Sequence, residues 1–127
     1  MMFPRSVGFL FSLSFCAISS IAATAKPAVI LVPGTFHRAN VYDEVKGQLS
    51  DVGYEHINAI DLPSNGYNVV DVERTADVNV VVHLLEARLQ AGEDVILVGN
   101  SYGATVIMEA VKNFEDRSVT SAGEKTK

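Results

Sequence analysis

Gly99-Asn100-Ser101-Tyr102-Gly103 sets a serine hydroxyl between two glycines, where one hydrophobic pattern gives way to another. Before it, Val95-Ile96-Leu97-Val98 is an unbroken apolar run, which predicts a strand covered on both faces. After it, from Ala104 to Phe114, apolar residues recur with helical period at Ile107, Ala110, Val111 and Phe114. A G-x-S-x-G at a strand-to-helix turn is a nucleophile elbow: the glycines let the backbone turn sharply around a strained serine and push its hydroxyl out at the carboxyl end of the strand. The chemistry this suits is acyl transfer. The bland reading of the same residues is a tight turn whose small side chains permit close packing. A serine is a weak nucleophile without an adjacent base, and no histidine follows Ser101 in these 127 residues.

The rest of the pattern supplies a frame for that turn. Ala28-Val29-Ile30-Leu31-Val32 predicts a buried strand closed by Pro33-Gly34, with a loop to Asn40. Tyr42 to Leu49 predicts a helix with Val41, Val45 and Leu49 on one face. Tyr54 to Ile60 predicts a second strand, followed by the turn-rich Asp61-Leu62-Pro63-Ser64-Asn65-Gly66. Val78, Val81, Val82, Leu85 and Leu89 then mark a helix face that Gly92 ends. Three strands alternating with three helices predict an α/β fold, a parallel sheet with right-handed crossovers.

Composition narrows the partners. Val7 to Ala23 is apolar and interrupted by serines, and Ala23-Thr24-Ala25 fits an A-x-A cleavage site. Residues 1–25 therefore read as a signal peptide cut after Ala25, which predicts a secreted or periplasmic protein with no stable membrane anchor after cleavage. The only cysteine, Cys16, lies inside that segment, so the remainder can form no disulfide. Removing Arg5 leaves nine basic residues against fifteen acidic ones, a net charge of −6 with no basic cluster, which argues against nucleic acid as a partner. No metal-ligand spacing and no phosphate-cradling G-x-G-x-x-G is present, so no cofactor or metal is expected. Residues 26–117 make up the expected domain. Residues 118–127 are small and polar and predict a disordered tail.

Three segments together resemble the α/β-hydrolase superfamily, in particular the esterase branch that includes plant methylesterases and hydroxynitrile lyases. Pro33-Gly34-Thr35-Phe36-His37-Arg38-Ala39-Asn40-Val41-Tyr42 resembles that family's H-G-x-x-H-G-A-W-x-W loop, and Asp61-Leu62-Pro63 with Gly66 resembles its D-L-P-G-H-G loop. Val95 to Gly103 resembles its strand and elbow, and Lys112 to Arg117 the helix end after it. The resemblance covers the chain from about Lys26 to Arg117 and implies the amino-terminal half of such a fold. It implies Ser101 as nucleophile, the backbone N–H groups of Thr35 and Tyr102 as oxyanion-hole donors, and Gly34, Phe36 and His37 as substrate-binding residues of the loop. The implied substrate is a small-molecule ester.

The departures matter as much. Pro33 stands where the family has histidine, Arg38 and Asn40 replace glycine and tryptophan, and Asn100 replaces the usual histidine before the serine. The family orders its triad serine, acid, histidine, yet no histidine and no later strand follow here. His37 is not the base position of the family and is expected to orient or pack. His56 and His83 are expected to be structural or surface residues, and Asp61 to cap its loop. The leading expectation is a secreted carboxylic ester hydrolase relative, truncated before the triad acid and histidine and inactive alone. The alternative is a non-catalytic half-fold that binds a ligand or a partner. In either case an exposed sheet edge could promote self-association.

Overall fold

A computed structural model describes residues 24–66 and 71–123, with side chains described as far as residue 115. The predicted signal segment up to residue 23 and the last four residues of the predicted tail lie outside the described residues. Strands β1 (Ala28–Val32), β2 (Ile57–Ala59) and β3 (Val95–Gly99) form one parallel sheet in the order β2-β1-β3. Helices α1 (Asp43–Asp51), α2 (Arg74–Gln90) and α3 (Tyr102–Gly123) alternate with them, and a 3-10 turn, Ala39–Tyr42, precedes α1. This is the predicted α/β architecture.

β1 is the axis of the sheet. It pairs with β2 through Val29↔Ile57, Ile30↔Asn58 and Leu31↔Ala59, and with β3 from Ala28↔Val95 to Val32↔Gly99. All five of its side chains are buried. Successive side chains alternate between faces, so Ile30 and Val32 point one way and Val29 and Leu31 the other. Ile30 and Val32 join the main core with Ile60, Leu62, Val78, Val81, Leu85, Val106 and Ala110, which are carried mostly by α2 and α3. Truncating a buried branched side chain such as Ile30 to alanine typically costs about 2–5 kcal/mol.

Several expectations shift. β3 is not covered on both faces. Val95 and Leu97 pack on the core, whereas Ile96 and Val98 each remain 41% exposed. The register puts Ile96 and Val98 on the same face as Val29 and Leu31, and β3 is the outer strand of the described sheet. The stripe on α1 is likewise half open, with Val41 and Val45 exposed and Leu49 half-buried. β2 pairs over three residues only, because Tyr54 N–H still bonds Leu49 O at the exit of α1 (3.0 Å). α3 runs on past Arg117 to Gly123, through residues the sequence assigns to a polar tail.

Candidate functional site

Ser101 sits between the last residue of β3 and the first of α3, at φ 52°. A left-handed conformation costs a non-glycine residue roughly 1–2 kcal/mol, so it persists only where neighbours enforce it. Asn100 N–H continues the sheet ladder onto Val32 O (3.1 Å), Gly103 N–H bonds Asn100 O (2.9 Å) and Ala104 N–H bonds Ser101 O (3.0 Å). Gly103 is wedged against the end of β1: a Cβ there would collide with the Val32 carbonyl oxygen and lie 2.6 Å from Pro33 O. The serine is exposed at the carboxyl end of the strands, where parallel α/β sheets bind ligands.

The loop after β1 comes back to the same point. A Cβ on Gly34 would lie 3.2 Å from Asn100 O and 3.3 Å from Ser101 Cβ, so glycine lets the loop backbone lie directly beside the serine where any side chain would be tightly squeezed. Thr35 follows, exposed. Phe36 is a second left-handed residue, at φ 65°, and it is 93% exposed. His37 is exposed, with Nδ1 2.9 Å from Thr35 O. Gly34, Thr35, Phe36 and His37 are thus in one loop beside Ser101, with Tyr102 next in the chain.

Asp61 caps this loop. Its Oδ1 accepts Ala39 N–H (2.7 Å) and its Oδ2 accepts from Arg38 Nη2 (3.1 Å). The Ala39 N–H bond, aided by Arg38, holds its carboxyl below the usual carboxylate range. This contact is present above the ordinary carboxylate pKa and lost as pH falls through the lowered one. Tyr42 OH donates to Val32 O (3.1 Å), and burial pushes its pKa up.

Two residues that motif reading passed over tie these pieces together. Asn65, only 6% exposed, hydrogen-bonds three backbone groups of residues 34–37. Asp77, 0% exposed, accepts Ser64 N–H at Oδ1 (2.9 Å) and Tyr102 OH at Oδ2 (2.7 Å). The Tyr102 hydroxyl is pushed up in pKa, first by burial and then by this bond. Asp77 left one trace in the sequence, since it stands four residues before Val81 and eight before Leu85, on the buried stripe of α2. Asn65 left none beyond its place in a turn.

The histidines are scattered. His56 pairs with Glu93 at the start of β2, the opposite end of the sheet, and His83 is exposed on α2. Among the described residues no hydrogen bond joins Ser101 to any histidine, and no three His, Cys, Asp or Glu side chains could share a metal ion. A cavity of about 440 Å³ lined by Lys26, Gly53, Glu55, His56 and Glu93 lies at the amino ends of the strands, away from Ser101.

Residues 29–123 match the sequence profile of the Alpha/beta hydrolase family. The chain is 33% identical over 94 residues to "Alpha/beta hydrolase nvfD" of Aspergillus novofumigatus, covering 74% of this chain and 37% of that protein. It is 31% identical over 88 residues to "Probable hydrolase R7" of a Phoma species, covering 68% and 36% of the two. It is 27% identical over 119 residues to "Methylesterase 8" of Arabidopsis thaliana, covering 91% and 43%. The chain thus spans about two fifths of the length of these relatives. No solved structure matches.

Proposed function

The chain belongs to the alpha/beta hydrolase family, and from that premise we propose that it carries the nucleophile and oxyanion part of a serine ester hydrolase site. The observation that carries the reading is the strained Ser101 at φ 52° with the Gly34 backbone against it. In the proposed reaction Ser101 Oγ bonds to the carbonyl carbon of a small-molecule ester. The negative charge that develops on the carbonyl oxygen is met by the N–H groups of Thr35 and Tyr102, and α3 adds the positive end of its dipole. The bond from the carbonyl carbon to the alkoxide oxygen then breaks, and the alcohol leaves carrying the proton that Ser101 gave up. Water later adds its hydroxyl to the acyl carbon, releasing the acid and returning a proton to Ser101 Oγ. The name of one relative, a methylesterase, supports an ester as substrate.

Among the described residues no histidine or carboxylate is hydrogen-bonded to Ser101 as an activating base would be, and these 127 residues alone are proposed to react slowly. An oxyanion hole without its triad still exceeds water by about 10³–10⁴-fold in serine proteases. A fluorophosphonate tests this: Oγ–P forms, P–F breaks, fluoride leaves and the proton goes to solvent. Long incubation followed by peptide mass spectrometry is expected to show modification at Ser101 well above Ser50 and Ser64, abolished in Ser101→Ala. Equal modification of all serines would sink the nucleophile assignment. Labelling as fast as in a complete serine hydrolase would sink the claim of slow reaction.

A second reading, a non-catalytic interaction module, is favoured by the part-exposed Ile96 and Val98 on β3, whose outer side pairs with no described strand. An apolar outer strand invites pairing. Light scattering is expected to show concentration-dependent association that Ile96→Lys with Val98→Lys suppresses. A native chain monomeric at every concentration would remove this reading's support.

A further inference from the structure

We propose that Asn65 is a positioning residue: its side-chain amide aims the Thr35 N–H and withdraws the neighbouring Phe36 N–H from competition. The proposal rests on the oxyanion role given above to Thr35. Asn65 Nδ2 donates to Gly34 O (3.0 Å) and to His37 O (2.8 Å), and its Oδ1 accepts Phe36 N–H (3.2 Å). All three partners belong to one four-residue segment, roughly thirty positions away in sequence. The orientation of the amide follows from its partners. Two carbonyls can only accept and an N–H can only donate, so a flipped amide would set like against like.

Peptide geometry turns this clamp into a direction. The Gly34 carbonyl and the Thr35 N–H belong to one planar trans unit and point opposite ways, and no peptide bond in the described chain is cis. Holding the carbonyl toward Asn65 therefore holds the N–H away from it. The unit being held is the one beside the nucleophile, since Gly34 approaches Ser101 more closely than any Cβ would allow with ease.

The same clamp selects the donor. Phe36 N–H is taken by Asn65, and His37 N–H bonds Gly34 O (3.2 Å). Thr35 N–H has no protein acceptor among the described residues, so of these three donors it alone is left for a ligand. The left-handed Phe36, at φ 65°, is the residue whose backbone must be held for this arrangement to persist. Asn65 is itself anchored. Its N–H bonds Leu62 O (2.9 Å), and the adjacent Ser64 N–H is bound by Asp77, which also binds the Tyr102 hydroxyl. The clamp is thus referenced to the helix that carries the second proposed donor.

The test compares the native chain with Asn65→Ala and Asn65→Asp by amide hydrogen exchange in NMR and by phosphonylation of Ser101. In the native chain Phe36 N–H is expected to exchange at least about tenfold more slowly than Thr35 N–H, because only the former is hydrogen-bonded. Asn65→Ala is expected to erase that difference while the Ile30 and Leu31 amides stay protected. Asn65→Asp keeps an acceptor for Phe36 but sets an oxygen against two carbonyls. It should therefore retain the Phe36 protection and still lose phosphonylation rate, as Asn65→Ala does, by roughly 100-fold, the scale of a lost oxyanion donor. Equal exchange of the two amides in the native chain would overturn the clamp, as would unchanged exchange in Asn65→Ala. A phosphonylation rate within twofold of native in both variants would overturn the positioning role. If Ser101 of the native chain is not modified at all, the nucleophile reading fails, and the positioning role with it, while the exchange comparison still decides the clamp.

Discussion

Gly103→Ala is expected to destabilise the chain by about 3 kcal/mol, the upper end of what overpacking a close-packed site costs. The added methyl would collide with the Val32 carbonyl oxygen and lie 2.6 Å from Pro33 O and 2.8 Å from the Val32 carbonyl carbon. These are backbone atoms at the end of β1, the strand that both others pair with, so no rotamer change relieves the contact. Either α3 lifts off the sheet or β1 bends. Both responses disturb the ladder bond from Asn100 N–H to Val32 O that holds the serine turn. For a domain of about a hundred residues, 3 kcal/mol lowers the melting temperature on the order of 10–20 °C. Gly47→Ala in α1 is the control. Nothing lies within 4 Å of its Cβ position, and alanine in a helix interior should gain about 0.5–1 kcal/mol over glycine. Thermal melts of the two variants should move in opposite directions. A Gly103→Ala chain melting with the native one would mean that helix and strand do not approach so closely.

The serine turn was legible because its signal is local. Two glycines four apart, an apolar run before and a helical period after need no knowledge of the rest of the fold, and the structure puts Ser101 at that junction. β1 was legible for the same reason, since a five-residue apolar run bounded by Pro33 and Gly34 has few other uses. The covering of β3 was not legible. An apolar run reports that a strand is suited to burial on both faces, but what lies over Ile96 and Val98 depends on elements elsewhere. Asn65 was not legible because its partners are backbone groups far away in sequence, with no period or motif to connect them. The motif reading found the loops that resemble a hydrolase and assigned the donors within them. It could not find the side chain that orients one of those loops.

Asp77→Ala is expected to cost nearly as much as Gly103→Ala, about 3 kcal/mol, by a different route. Asp77 is 0% exposed, yet it lies on the same stripe of α2 as Val81 and Leu85. A polar group so placed is tolerated only when hydrogen-bonded. Its two oxygens accept Ser64 N–H at 2.9 Å and Tyr102 OH at 2.7 Å. Alanine removes the Asp77 acceptor from both donors, and leaving a buried donor unmade costs about 1–3 kcal/mol. Asp77→Asn keeps an oxygen for Ser64 N–H, and its amide can donate to the Tyr102 hydroxyl, which also accepts. It should cost about 1 kcal/mol. Tyr102→Phe removes one partner alone, and in the Asp77→Ala background it should add little, because the bond it breaks is already gone. The tyrosine reports the same contact. Its folded pKa lies above the ordinary 10.0, through burial first and Asp77 second. The resulting stability is therefore full below pH 10 and lost as pH rises through the raised pKa. In Asp77→Ala the tyrosinate absorbance of Tyr102 should appear at lower pH than in the native chain, with the burial contribution remaining. Denaturation of the three single variants and the double variant measures the coupling. Additive costs would mean that Asp77 supports α2 alone. Non-additive costs would mean that it joins the loop holding Asn65 to the residue after Ser101, so that the two proposed oxyanion donors are held by one connected frame.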